Sequence, residues 1–441
     1  MTILRRKIPK FTKSFWREEH NLPSFSPLSE NLATDITIVG AGITGITIAY
    51  LLAKEGIKVV LIDAGKIIDG TTGYTTAKIS SQHGLIYDEL IKNIGLERAR
   101  LYYESNEDAL AFIRQTVDEL GIDCDLTNQD SYVYSTSKSS KVKVEKEADA
   151  YKSLGLDGGL ASSEEVQLPF EWENAIVMRN QAQFHPVKYL SGLVSEIQKH
   201  GGQIFEDTRA GDINRKGEMQ EVITTEGHHI QCNQVIVSSH FPFNDFEGLY
   251  FSRLHIERSY SIAARVQSPI PDGMYLSADS PSRSLRSALG LNGEKLLLIG
   301  GEGHPTGQSH GETIENYEKL ADFGLQHFNL EEISYHWSAQ DIITLDKIPY
   351  IGAISSDEEN VLVATGFAKW GMTNGTTAAL LLKDRILQKE NPYHDLFDPS
   401  RSELTTSGIK SFVKENADVA KEFVKGKVKR KEKELKDLDS D

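Results

Sequence analysis

Cysteine is almost missing from this chain. Cys124 and Cys232 are the only two in 441 residues, too few for a four-cysteine zinc or iron–sulfur site or a disulfide-rich scaffold. They leave open one Cys124–Cys232 bridge or two buried free thiols. Positive charge is also short. The 48 Lys and Arg stand against 64 Asp and Glu, a net charge of −16, which argues against a broad nucleic-acid-binding surface. No run of about 18 uncharged apolar residues occurs, so no membrane-spanning helix is expected. The opening segment, MTILRRKIPKFTKSFWREEHNLPSF, is basic and then aromatic. It lacks the apolar core of a secretory signal, and a cytoplasmic location follows as the default. Neither G-x-S-x-G nor H-E-x-x-H is present, which removes the hydrolase and zincin readings. His83, His185, His240, His304 and His336 are scattered without metal-ligand spacing, so no metal site is expected.

What is present fits a folded protein. The apolar fraction is 39% and the charged fraction 25%, and the length exceeds one ordinary domain. Residues 1–32 read as an irregular arm anchored by Phe15 and Trp16. Residues 35–40 (DITIVG) read as a buried strand, followed by a helix to Glu55 with Gly56 at its end, and a second strand over 58–63. This is a βαβ unit. Apolar positions at helical spacing predict one or two helices over 87–120. Strands are predicted at 131–135, 233–240, 296–300 and 361–365, and a helix entered through Pro186 over 186–200. Residues 397–441 predict a charged C-terminal helix or linker.

The G-x-G-x-x-G fingerprint lies at Gly40, Gly42 and Gly45, between the first strand and its helix. Gly40 permits the tight turn, Gly42 lets the backbone approach a pyrophosphate, and Gly45 lets helix and strand pack closely. Ala41, Ile43 and Thr44 complete the helix N-terminus, whose N–H groups and dipole suit phosphates. Asp63, followed by Ala64 and Gly65, ends the second strand where a ribose hydroxyl would be bound. The fingerprint alone does not choose between NAD and FAD. Next comes a hydroxyl-rich loop, Thr71, Thr72, Thr75, Thr76, Ala77 and Lys78, suited to wrapping a long extended cofactor.

Taken in order, the fingerprint, the TTGYTTAK loop, Gln183-Phe-His-Pro186, the WSAQDIITLDKIPYIG segment from Trp337 and the GFAKWGMT segment from Gly366 resemble the FAD-dependent oxidases of the D-amino-acid-oxidase (DAO) family. The resemblance runs from about 33 to 396. It implies an α/β, two-lobed fold: a Rossmann-like FAD domain from 33–125, 186–245 and 340–396, and an antiparallel-sheet substrate domain from 126–185 and 246–339. It further implies FAD, bound noncovalently, contacted also by Ala210 and by Ser238, Ser239 and His240. Gly366, Phe367, Lys369, Gly371, Met372 and Thr373 close the flavin site, on a helix beginning near Thr373. Lys78 and Lys369 are its candidate catalytic residues, Lys78 preferred, and Arg283 and Arg286 its candidate carboxylate ligands.

The match is closest to the branch carrying a C-terminal Rieske iron–sulfur domain, on the TTGYTTAK…SQHG loop, the QFHP segment and Ser282–Arg286. The paired Rieske motifs do not occur in this sequence, so that domain is expected to be absent or truncated here. The expected activity is hydride transfer from a C–N bond of a small amine or amino acid to flavin N5. O2 or an iron–sulfur centre would then accept the electrons. A flavin-binding protein without turnover is the remaining alternative.

Overall fold

The computed structural model describes residues 8–18, 20, 22–244, 250–307 and 312–401. Of the expected charged C-terminal segment 397–441, residues 402–441 lie outside the described residues.

A six-stranded sheet runs in the order Tyr350–Ala353, Val361–Thr365, Gln234–Val237, Ile36–Val39, Val59–Ile62, Gln203–Phe205. All neighbours are parallel except the first pair. Its central strands are mostly apolar and almost wholly buried, because a parallel sheet is covered on both faces. The helix Ile43–Lys54 packs between Pro186–Lys199 and Gly371–Ile386. Nearly all of its residues are buried, so it carries no polar stripe. A four-stranded sheet of Leu32–Ala33, His229–Cys232, Met219–Thr224 and Ala210–Lys216 lies beside it in the chain order.

The third sheet has nine strands, eight of them drawn from Thr127–Ser135 through Leu330–Thr344. Two features differ from the segment borders expected above. The short strand Lys78–Ile79 joins this sheet, pairing with Asn174–Gln183. The strand Leu330–Thr344 carries the sheet past 339, because its register with Leu254–Val266 holds as far as Leu254 opposite Thr344. Residues 87–120 form two helices, Tyr87–Ile94 and Leu96–Leu120, broken at Gly95 with φ +84°. Cys124 and Cys232 are free and buried. Phe15 and Trp16 are buried in the main core, on a four-residue helix within the arm. Among the described residues, no helix is long and apolar enough to cross a membrane.

Candidate active site

Close approach builds the Gly40–Gly45 turn. Gly40 has φ +105°, and a Cβ there would lie 2.6 Å from the Ser238 carbonyl oxygen. A Cβ on Gly45 would lie 1.8 Å from the Gly40 carbonyl oxygen, so only glycine lets the helix start this near the strand. Ser238 Oγ donates to the same carbonyl at 3.1 Å. Gly42, Ile43 and Thr44 border a cleft, which therefore meets the positive end of this helix. Asp63 also lines the cleft while bracing the turn. Its Oδ2 accepts from the Ala41 N–H at 2.8 Å and its Oδ1 from the Gly65 N–H at 2.9 Å. Burial raises its pKa, and the two N–H groups oppose that rise. Ala41 and Gly45 serve the turn from behind and do not line the cleft.

The hydroxyl-rich loop runs along the same cleft. Thr71, Thr72, Thr75, Thr76 and Lys78 line it. Thr72 Oγ1 accepts the Ile43 N–H at 3.0 Å, tying the loop to the helix N-terminus. Ala77 has φ +55° and lies buried behind the wall. Lys78 is buried, and its Nζ donates to the Tyr275 carbonyl at 2.8 Å. Desolvation, with the nearby Arg286 charge, pulls its pKa down to about 7. Lys369 lines the cleft too, but its side chain is 40% exposed and its Nζ lies 3.2 Å from the Glu257 carboxylate. A matched surface charge of that kind contributes little to a site.

The closing segment enters through two left-handed residues, Gly366 at φ +81° and Ala368 at φ +51°. A Cβ on Gly366 would strike Thr344 Cγ2 at 2.4 Å. The helix expected near Thr373 starts two residues earlier, at Gly371, because the Trp370 carbonyl accepts the Asn374 N–H at 3.0 Å. Phe367, Gly371 and Met372 line the cleft, but Thr373 does not. Thr373 is turned inward, with Oγ1 donating to the Ser80 carbonyl at 3.1 Å and lying 3.0 Å from His83 Nε2. His83 stacks on Trp370 with ring centroids 4.9 Å apart. Its Nε2 faces the Ser80 carbonyl at 2.8 Å and so carries the hydrogen, while Nδ1 accepts from Tyr102 at 2.7 Å. Burial lowers its pKa to about 3, leaving a neutral ring.

Both arginines expected to grip a substrate carboxylate are engaged elsewhere. Arg283 pairs with Glu302 at 2.6 Å and donates to the Ser282 carbonyl. Strand alternation turns Ser282 and Ser284, not Arg283, toward the cleft. Arg286 is buried, with Nη1 on the Thr76 and Ala77 carbonyls at 2.9 and 2.6 Å and Nε on the Ser287 carbonyl at 3.0 Å. Neither lines the cleft.

These segments enclose a cleft of about 610 Å³, a volume typical of ligand sites. Ala64, Gly65, Ala210, Ser238, Ser239 and His240 complete the expected set. His240 Nε2 is buried with no hydrogen-bond partner among the described residues. Sequence reasoning missed Arg209, Tyr260, Ser261, Leu276 and Asp341, which also line the cleft. Most come from the large sheet, far away in sequence. Strand alternation was their only signal, and it does not say which face meets a ligand. Burial raises Asp341 to about 6, with Ser259 Oγ donating to it at 3.2 Å.

A family model described as FAD dependent oxidoreductase, DAO, matches residues 35–385. A Bacillus subtilis chain, YhfW, named as a Rieske 2Fe-2S iron–sulfur protein, is 46% identical over 426 residues, 97% of this chain and 82% of that one. Gamma-glutamylputrescine oxidoreductase of Escherichia coli is 23% identical over 391 residues, 85% of this chain and 89% of its own. Among solved structures, glycine oxidase from Geobacillus kaustophilus matches with a TM-score of 0.70 at 17% identity, covering 84% of this chain and 99% of its own. That last likeness is one of fold.

Proposed function

The chain belongs to the DAO family of FAD-dependent oxidoreductases and its cofactor is FAD; from that premise we propose that it oxidises a C–N bond of a small amine or amino acid. The cleft suits the cofactor on its own terms. A Cβ on Gly42 would press on Thr72 Oγ1 at 3.1 Å, so a bare backbone faces the space where a pyrophosphate would lie. Two helix N-termini border the same cleft, at Gly42–Thr44 and at Gly371–Met372, and both favour negative charge. His240 Nε2 offers a buried polar atom not yet satisfied by the protein. Gly40, Gly42, Ile43, Thr44, Asp63, Ala210 and Ser238–His240 are the residues we assign to the adenosine and pyrophosphate. Thr71, Thr72, Thr75, Thr76, Lys78, Phe367, Gly371 and Met372 are assigned to the flavin.

When bound, FAD would supply a two-electron acceptor for the hydride released as the substrate C–H bond breaks and C=N forms. The chain's own residues set the state of the substrate nitrogen. The surroundings that hold Lys78 at about 7 also disfavour a substrate ammonium, and only the neutral amine has the lone pair that expels a hydride. Its proton leaves to solvent. Lys78, with one N–H on the Tyr275 carbonyl, keeps its lone pair when neutral and is positioned to accept a hydrogen bond from the substrate. The first turn of Gly371–Ile386 stabilises negative charge that develops beside it. The observation that carries the proposal is this convergence of two helix N-termini and a buried lysine on one cleft.

The test is product formation. Holoprotein incubated with a panel of amines and amino acids and an artificial electron acceptor releases ammonia or an amine and a carbonyl product from at least one member. Absence of product from every member overturns the proposal. A second reading concerns the acceptor: electrons pass to an iron–sulfur centre rather than to O2. The 46% identity to a chain named for a Rieske centre favours it. Rapid re-oxidation of the reduced protein by air alone contradicts it.

A further inference from the structure

Five consecutive carbonyls of the cleft loop each accept a hydrogen bond from a side chain remote in sequence. Ser14 Oγ donates to Gly73. Trp337 Nε1 donates to Tyr74 at 2.9 Å, and Trp16 Nε1 to Thr75 at 2.7 Å. Arg286 Nη1 donates to Thr76 and Ala77. The Arg286 guanidinium lies over the Trp16 ring, 5.2 Å from its centroid, so the donors also fix one another. Trp16 is 1% exposed and packs edge-on against Phe15 and His185. A second tie binds the arm just ahead of the loop. Buried Glu206 accepts the Phe25 N–H and the Ile67 N–H, each at 3.0 Å.

We propose that Ser14 and Trp16 of the arm, with Arg286 and Trp337, are positioning residues that clamp the loop backbone and make the arm part of the FAD site. This rests on the assignment of FAD to the cleft. Ordinary packing requires no donor on five successive carbonyls. A loop between strands normally leaves such groups to water. Here the clamp holds the loop rigid with Thr71, Thr72, Thr75, Thr76 and Lys78 on the ligand side. Ligand binding then incurs less ordering entropy.

The experiment compares wild-type holoprotein with Trp16→Phe, which keeps a ring but removes the N–H. Ser14→Ala serves as a second variant that alters almost no volume. FAD release is read from recovery of flavin fluorescence on dilution. Bound-flavin absorption reports the environment of the ring, and thermal midpoints are taken with and without excess FAD. The clamp predicts FAD affinity weaker by about tenfold, the size of one lost buried hydrogen bond. It also predicts an altered visible spectrum and a thermal midpoint restored by excess FAD. If both variants hold FAD as wild type does, with the same spectrum, or if excess FAD leaves a lowered midpoint uncorrected, the residues are structural only and the clamp is overturned. A wild-type protein that retains no FAD overturns instead the assignment on which the clamp rests.

Discussion

Lys78 sits in the fold with its ordinary pKa of 10.5 drawn down to about 7. The unfolded chain therefore binds more protons than the native one between those values. Stability associated with this group is fully present above about 10.5 and is lost as pH falls through 7. Lys78→Met removes the penalty. We expect the variant to gain thermal stability at pH 6, by an amount that shrinks as pH approaches 10, at roughly 1.4 kcal/mol per pH unit as an upper bound. Thermal melts across that range check it; a gain independent of pH contradicts the burial argument. The same variant tests chemistry. It is expected to bind FAD and to turn over or re-oxidise at least several-fold more slowly. The arginines teach the converse lesson. Arg283 and Arg286 stand in a segment similar to the family's, yet sequence does not reveal that one guanidinium meets Glu302 and the other two loop carbonyls.

Among the elements, the fingerprint helix was legible from the sequence because its glycines are demanded by contacts within a few residues, as at Gly45 against Gly40. The strands 35–40, 58–63 and 361–365 were equally legible, since parallel burial leaves continuous β-branched runs. What stayed hidden depends on distant partners. The arm looked like packing alone, because nothing near Trp16 shows that its indole serves a carbonyl 59 residues on. Thr373 belongs to the closing motif, but its hydroxyl turns to Ser80 and His83. Two glycine contacts make sharp tests. A Cβ on Gly375 would meet Thr44 Oγ1 at 2.8 Å and Ile43 Cγ2 at 3.0 Å, where the two ligand-facing helices cross. Gly375→Ala should cost about 1–3 kcal/mol of stability and weaken FAD binding, because it separates the helix N-termini. Denaturant titration and flavin release measure the two effects. An unchanged FAD affinity shows that the helices' spacing does not matter to the cofactor.

At the scale of the molecule, three buried histidines are held neutral: His83 and His185 at about 3 and His240 at about 4. Each contributes stability that is present above its unfolded value near 6.5 and is lost as pH falls toward 3. Glu147 and Asp341, raised to about 7 and 6, act with the opposite sign, their contribution being lost as pH rises through those values. His83→Gln should therefore flatten the acid side of the stability curve, by up to about 1.4 kcal/mol per pH unit. A series of denaturant midpoints between pH 4 and 7 reads this. An unaltered slope places His83 outside the acid response. Lys78–Ile79 carries the hydroxyl-rich loop into the large sheet, a pairing with a strand about 100 residues on that the local sequence does not announce.

The proposed chemistry is that FAD in this cleft receives electrons from a C–N bond. The direct measurement is the visible absorption of the purified protein under strict exclusion of oxygen while amines and amino acids are added one by one. The account predicts that the flavin absorption bleaches with at least one of them and that the Lys78→Met variant bleaches more slowly. A protein that binds FAD but keeps its full absorption with every amine contradicts the account.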